Sequence, residues 1–289
     1  MKLRRFEYHA PADLESACRL LAEHPDSAAV LAGGTDLLVD LKEGALRREH
    51  LVSLKEIEAV RGIDYDRESG LSIGAAVTHN EVARSETVRR LYPGLAEAAR
   101  SVAGAQVRNR GTIGGNICSA VSSADVPPIL LALDAEFRIV GADGERLLPA
   151  SSFFLGPRRT ALRRGEILAA IHLTPPAEGT GTCYRKFALR DASALAVAGA
   201  AAAVVMDGGR CLEGRIALGA VAPTPMLAAK ASGLLRGVEV DETLARKVGA
   251  VAREECKPIS DIRGSAEFRR ELVEELTRRA LLEAVERAK

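Results

Sequence analysis

The residues best suited to chemistry sit in two short strings, Ala32-Gly33-Gly34-Thr35-Asp36 and Thr112-Ile113-Gly114-Gly115-Asn116. Glycine admits positive φ and puts no side chain in the way of an approaching group. Each Gly-Gly follows a short apolar run, Ala29-Val30-Leu31 in the first case, so each predicts a strand ending in a turn. Successive N–H groups in such a turn converge on an anion. Thr35 and Thr112 supply hydroxyl donors beside them. Two loops of this kind, with little positive charge nearby, suit a diphosphate clamped by backbone and hydroxyls. A Gly-Gly pair is also an ordinary tight turn, and spacing alone leaves both readings open. Neither loop reads G-x-G-x-x-G with a downstream acid or G-x-x-x-x-G-K-[ST], which disfavours Rossmann and P-loop sites.

Other candidate chemistry is sparse. Cys18, Cys118, Cys183, Cys211 and Cys256 are scattered without a C-x-x-C. Zinc or iron–sulfur ligation within the chain is therefore not expected, whereas buried thiols in a reducing compartment are. Cys118 stands out only by lying just beyond the second glycine pair. His9, His24, His50, His79 and His172 show no accompanying carboxylate pattern and read as structural or exposed. No catalytic acid–base pair is assigned, and no metal ligand.

The elements that must position the loops follow from periodicity and punctuation. Residues 1–58 read strand, helix, strand, loop, strand: Pro11 favours a helix start, Leu14, Ala17, Cys18 and Leu21 form its stripe, and 28–32 and 51–54 are strands. A second unit, 59–176, begins with a strand at 71–74 and a short helix that Asn80 could cap. Helices follow at 95–102 and from Pro127-Pro128 to about Leu133, then a strand at 137–140 turning at Asp143-Gly144. The third unit, 177–289, holds a hairpin about Asp207-Gly208-Gly209 and turns helical after Pro223 and Pro225. Phe268, Leu272, Leu276, Ala280 and Ala284 mark the apolar face of the last helix.

Composition narrows the class. Forty basic residues nearly cancel 39 acidic ones, for a net charge of +1, so neither nucleic acid nor an anionic membrane is indicated. The chain has no Trp, so any planar ligand would be walled mainly by aliphatic groups. The most apolar stretch, 194–206, is shorter than the roughly 20 residues of a bilayer span and reads as core. The charged start, Met1-Lys2-Leu3-Arg4-Arg5, lacks an apolar segment behind it, which predicts no signal peptide and a cytoplasmic protein.

Taken together, several strings carry a family resemblance. The order Ala32-Gly33-Gly34-Thr35-Asp36-Leu37, Ile73-Gly74-Ala75-Ala76-Val77-Thr78 and Gln106-Val107-Arg108-Asn109-Arg110-Gly111-Thr112-Ile113-Gly114-Gly115-Asn116-Ile117 resembles the FAD-binding subunits of molybdenum hydroxylases. Carbon monoxide dehydrogenase medium subunits and bacterial xanthine dehydrogenase FAD subunits are among the relatives it resembles. The match continues through Phe153-Phe154-Leu155-Gly156, Tyr184-Arg185-Lys186 and Ile216-Ala217-Leu218-Gly219-Ala220-Val221-Ala222-Pro223-Thr224-Pro225, and spans essentially the whole chain.

The resemblance implies an α+β protein: a p-cresol-methylhydroxylase-type FAD domain of two α/β subdomains, then a CO-dehydrogenase-flavoprotein-like α+β domain. It implies that Leu31, Ala32, Gly33, Gly34, Thr35, Asp36 and Leu37, with Thr112, Ile113, Gly114, Gly115 and Asn116, enclose the FAD diphosphate. Asp125, Leu168 and Lys186 fall at the family's spacing for further contacts, and Ile73 and Thr78 are candidates for ring packing. On their own residues Asp125 could instead cap the next helix, and Lys186 could belong to a solvated basic cluster. A cation beside the ring would stabilise the charge developed on reduction. The implied partners are a molybdenum-cofactor large subunit and a small subunit with [2Fe–2S] clusters, in a dimer of heterotrimers. Relatives like 4-hydroxybenzoyl-CoA reductase insert a cysteine-bearing loop for an extra cluster. Here 41–50 is short and cysteine-free, so no such cluster is expected. A self-contained flavin oxidoreductase on the same fold is the alternative.

Overall fold

The computed structural model describes residues 3–190 and 194–289. Met1 and Lys2 of the N-terminal reading lie outside the described residues.

The chain opens with β1 (Glu7–His9), α1 (Leu14–Glu23), β2 (Ala28–Leu31), α2 (Leu37–Glu43) and β3 (His50–Ser53). The three strands form a parallel sheet in the order β1-β3-β2, with β3 central. Asp13 caps α1 by accepting from the Ser16 N–H at 2.7 Å, and Leu14, Ala17, Cys18 and Leu21 are buried as their spacing predicts. The segment read as loop after the first Gly-Gly contains α2: Leu37 and Leu38 begin a seven-residue helix that Gly44 ends with φ 77°. Its lack of a fully buried face left no periodic signal to read.

The middle of the chain runs β4 (Ile63–Asp66), β5 (Gly70–Gly74), α3 (His79–Arg84), α4 (Glu86–Leu91), α5 (Pro93–Ser101), α6 (Ala105–Arg108), α7 (Ile113–Ser119) and α8 (Val126–Ala132). It closes with β6 (Glu136–Gly141), β7 (Gly144–Pro149), β8 (Phe154–Gly156), β9 (Arg159–Thr160) and β10 (Ile167–Leu173). An antiparallel sheet in the order β4-β5-β10-β6-β7 backs these helices. Phe137 and Phe153 meet edge to face at 4.9 Å in its core.

The last unit contains β11 (Thr180–Phe187), β12 (Ala198–Asp207), β13 (Arg210–Gly219), β14 (Met226–Leu227), α9 (Ala229–Gly233), β15 (Val238–Glu239), α10 (Glu242–Glu255) and α11 (Ala266–Arg287). The predicted hairpin about Gly208-Gly209 joins β12 to β13, and two short strands interrupt the region read as wholly helical. Strand alternation divides the alanine-rich β12 between two cores. Ala201, with Ala217 and Tyr184, faces the middle of the chain, while Ala198, Ala200, Ala202 and Val204 face α10 and α11. Small side chains let α11 come close: a Cβ on Gly181 would stand 1.9 Å from the Ala284 carbonyl oxygen. The buried side of α11 is broader than the predicted stripe, since Arg269, Val273, Thr277, Leu281 and Val285 are buried and Phe268 is 37% exposed. A strict four-residue step drifts about 40° per repeat around a helix of 3.6 residues per turn. Among the described residues no helix is long and apolar enough to cross a membrane.

Candidate functional site

The first glycine string is a nest. After β2, Leu31 accepts from the Leu54 N–H at 3.0 Å, and the chain leaves the sheet. Gly34 turns it with φ 74°, and Asp36 occupies the N-cap of α2 without a side-chain capping bond. Among the described residues the N–H groups of Gly33, Gly34, Thr35 and Asp36 have no acceptor within the chain. Four consecutive amides are thus available to a ligand. That is the donor set an anion requires.

The second string is built differently. Ile113, Gly114, Gly115 and Asn116 lie in the first turn of α7 rather than in a strand-to-turn corner, and neither glycine has positive φ. Thr112 is the N-cap, its Oγ1 accepting from Gly115 N–H at 3.1 Å. Ile113 N–H donates to the Val77 carbonyl, Gly114 N–H to the Ala75 carbonyl and Asn116 N–H to the Thr112 carbonyl, at 2.9, 2.9 and 3.0 Å. The expectation that these amides converge on an anion is therefore corrected: each already has a partner inside the fold. Glycine is needed for close approach, since a Cβ on Gly114 would stand 2.5 Å from Ala75 Cβ. The short apolar run that suggested a strand belongs to the helix itself. Asn116 Oδ1 is buried without a partner.

The fold presses the two strings together. A Cβ on Gly33 would stand 2.0 Å from the Arg110 carbonyl oxygen, and one on Gly111 would lie 3.4 Å from Thr35 Oγ1. Thr78 bridges to Thr112 and starts α3, its side chain and that of Glu81 forming a reciprocal capping box. Thr78 is therefore the cap, not Asn80. Asn80 instead ties α3 to α6, donating to Asn109 Oδ1 and accepting from Arg108 Nε at 3.2 Å. A cleft of about 250 Å³ opens where the strings meet, with Ala32 and Gly33 on one side and Thr78 and Thr112 on the other. Lys55, Arg61 and Arg110 also line it, beside Glu56. Positive charge is thus close at hand, contrary to the sequence reading: Arg110 stands two residues before Thr112, and the fold adds Lys55 and Arg61 from the chain after β3. His79, buried below, has its Nδ1 unpartnered. Burial, helped by Arg108, holds its imidazole down at about 4, so it is neutral near pH 7.

The remaining candidates fall elsewhere. Ile73 on β5, Ile113 on α7 and Leu168 on β10 are buried in the central core and do not line the cleft. Leu37 is half-buried at the start of α2. Asp125 and Lys186 form a second locus, where α8 meets β11. Asp125 sits at the N-cap of α8 but makes no capping bond, so the capping alternative is set aside. Its Oδ2 accepts from Lys186 Nζ at 2.9 Å and its Oδ1 from the Tyr184 hydroxyl at 2.9 Å. The ammonium also donates to the carbonyls of Ser101 at 2.9 Å and Ala194 at 3.0 Å, using its third proton. Lys186 is accordingly an ordered, largely buried ion-pair partner rather than one of a solvated basic cluster. Burial pushes the Asp125 carboxyl up, against the pull of Lys186, Tyr184 and Ser101, and pushes the Tyr184 hydroxyl well up. Desolvation pushes the Cys118 thiol up to about 12, which disfavours its thiolate. The other four cysteines are buried thiols.

Sequence reasoning missed Tyr184 as the second donor to Asp125, although period-two alternation with Lys186 puts both on one face of β11. It also missed the company of the histidines. Glu7 lies two residues before His9, and its carboxylate stands 3.9 and 3.5 Å from His9 and His50, which corrects the reading that no carboxylate accompanies them.

A cleft lined by Gly33, Thr78, Thr112, Lys55, Arg61 and Arg110, entered by the first of four free amides, has the donors and the charge that the diphosphate of a dinucleotide requires. Sequence comparison agrees with the geometry. Residues 4–176 match the family described as the FAD binding domain in molybdopterin dehydrogenase, and 182–284 match the CO dehydrogenase flavoprotein C-terminal domain. The chain belongs to the FAD-binding medium subunits of the molybdenum hydroxylases, an oxidoreductase family.

Among its relatives, it is 36% identical over 279 residues to the xanthine dehydrogenase FAD-binding subunit of Escherichia coli O157:H7, covering 96% of this chain and 95% of that one. It is 37% identical over 279 residues to the carbon monoxide dehydrogenase medium chain of Hydrogenophaga pseudoflava, covering 96% of each. A solved carbon monoxide dehydrogenase from Hydrogenophaga pseudoflava superposes with a TM-score of 0.95 at 36% identity, over 99% of both chains. Quinoline 2-oxidoreductase from Pseudomonas putida 86 gives 0.93 at 35% identity, over 100% of this chain and 99% of that one. The expected fold, an FAD-binding domain followed by a CO-dehydrogenase-flavoprotein-like domain, is the one observed.

Proposed function

We propose that this chain is the electron-transfer flavoprotein of a molybdenum-containing hydroxylase or dehydrogenase, taking electrons from [2Fe–2S] clusters of a small subunit and passing them to an acceptor. A large subunit with the molybdenum cofactor would oxidise the substrate. The observation that carries this reading is the row of four unpartnered amides, Gly33 to Asp36, which begins in a cleft lined by Gly33, Lys55, Arg61 and Arg110. FAD, when bound, supplies a carrier that accepts electrons singly and holds two; the protein supplies position and electrostatics.

In this reading the amides of Gly33, Gly34, Thr35 and Asp36 and the Thr35 and Thr112 hydroxyls hold the diphosphate. Leu31, Ala32 and Leu37 set the loop's course, and Ile113, Gly114, Gly115 and Asn116 form the wall against which it closes. Thr78 lines the cleft directly, whereas Ile73 and Leu168, buried in the central core, would act on the cofactor site only through the residues packed over them. Asp125 and Lys186 extend that site as a fixed ion pair, so the charge they present is largely balanced within the protein. The division into 1–58, 59–176 and 177–289 belongs to the same proposal. It is supported by the confinement of every sheet to one span, with the small β8-β9 pair beside the five-stranded sheet in the second, and by family matches that meet near residues 176–182.

Names of relatives support the assembly: the carbon monoxide dehydrogenase and nicotine 6-hydroxylase relatives are medium chains or subunits. We propose a dimer of heterotrimers in the cytoplasm, where a reducing milieu suits five free thiols. The purified chain is to be incubated with FAD, desalted and examined by visible spectroscopy, and the native complex analysed for molybdenum, iron and subunit masses. Bound flavin together with both partners supports the reading. Absence of flavin absorbance refutes FAD binding, and recovery of the flavoprotein without the two partners refutes the assembly.

A further inference from the structure

Three of the five histidines, far apart in sequence, meet at one end of the first sheet. The parallel register sets Glu7 of β1 opposite His50 of β3, with His9 two residues along the same face. His9 Nε2 lies 3.1 Å from His50 Nδ1, and Glu7 Oε2 lies 3.5 Å from His50 Nδ1 and 3.9 Å from His9 Nε2. His24, at the C-cap of α1, stacks on His50 with ring centroids 3.7 Å apart. Among the described residues the other such grouping, Glu97, Cys183 and Glu283, is already engaged by Arg185 and Arg287.

We propose that Glu7, His9 and His50 bind one divalent transition-metal ion of the zinc class. Ligands at about 2.05 Å from a tetrahedral centre are separated by about 3.3 Å, within the range of the three observed spacings. Two imidazoles and one carboxylate suit zinc, nickel or copper, whereas magnesium and calcium favour all-oxygen sets. The carboxylate also offsets half the charge of the ion. The His24 ring, stacked on the face of His50, fixes the orientation of that ligand as an outer partner does. Glu7 is 74% exposed, so the solvent side of the ion stays open to water.

All three strands are parallel; Glu7 and His50 open β1 and β3 and lie opposite each other, with His9 two residues along, while the Gly33-Gly34 loop leaves the C-terminal end of β2. A four-residue strand at about 3.3 Å per residue separates them by roughly 10 Å, so the ion would pin the short edge strand β1 to β3 without touching the glycine cleft.

Full-length protein, stripped with a chelator and desalted, is to be titrated with Zn²⁺ against a chromophoric competitor, and separately with Co²⁺ under visible spectroscopy. One Zn²⁺ per chain is expected, with His9→Ala and His50→Ala each weakening it by more than about tenfold, since loss of a ligand should cost at least as much as loss of a ligand's outer partner. His172→Ala is expected to bind as the parent does. Glu7→Gln, at an exposed position, should weaken binding without disturbing the fold, and the Co²⁺ bands should be lost in His50→Ala. A parent chain that does not compete for Zn²⁺ overturns the proposal, as does unchanged affinity in His9→Ala, His50→Ala and Glu7→Gln. The measurement reads metal alone, so its outcome is independent of whether the chain binds FAD.

Discussion

Replacing Lys186 by methionine leaves the Asp125 carboxylate buried, with only the hydroxyls of Tyr184 and Ser101 to answer it. The pair is 2.9 Å apart with side chains 11% and 7% exposed, and at an effective dielectric of about 20 the attraction is about 6 kcal/mol. Desolvation consumes much of that, so the pair adds little to net stability, but removing one partner strands the other. The expected cost of Lys186→Met is about 3–5 kcal/mol near pH 8. Asp125→Asn strands the ammonium and should cost a similar amount. The double variant should recover about 2 kcal/mol or more relative to the sum of the two, because no uncompensated charge remains.

The Lys186→Met penalty also has a sign in pH. Without Lys186 the folded carboxyl titrates above its unfolded value, so the folded state binds the extra proton and stability falls as pH rises through that range. The loss should therefore shrink on acidification. Because the chain has no Trp, urea unfolding is best followed by far-ultraviolet circular dichroism. A Lys186→Met protein within about 0.5 kcal/mol of the parent, or strict additivity in the double variant, would refute the reasoning.

Three further outcomes test the loops and the cleft. Gly33→Ala, whose Cβ would stand 2.0 Å from the Arg110 carbonyl oxygen, should separate the loops, lowering stability by roughly 1–3 kcal/mol and abolishing flavin retention, as read by melting and absorbance. Arg61→Ala and Arg110→Ala, at exposed positions, should leave unfolding within about 0.5 kcal/mol of the parent while weakening FAD several-fold, more so at low salt. His79, held down at about 4 when folded, contributes stability above its unfolded value near 6.5 that is lost as pH falls, about 2 kcal/mol by pH 5. Urea titrations of the parent and His79→Leu at pH 7 and pH 5 should show that loss in the parent alone.

The legibility of the site differed between the two glycine strings. Gly34 needs positive φ, a property of the residue itself, and its loop is an open nest. Gly114 was read the same way, yet it serves packing: its amide and its missing Cβ are both directed at Ala75, almost forty positions earlier. No local pattern distinguishes a glycine that exposes its N–H from one that buries it. Asp125 shows the same limit. A helix N-cap position predicts a cap, but Lys186 on β11 claims the carboxylate once α8 docks against the sheet.

Turn chemistry, periodicity and motif order are local properties of a chain, and they disclosed the hairpin at Gly208-Gly209, the family and the two loops that converge, but not α2, β14 or β15. Tertiary structure alone decided which amides remain free, which cations rim the cleft, and that Glu7, His9, His24 and His50 share one corner. Those facts depend on strand register and close approach, which bring together residues whose sequence separation carries no information about distance.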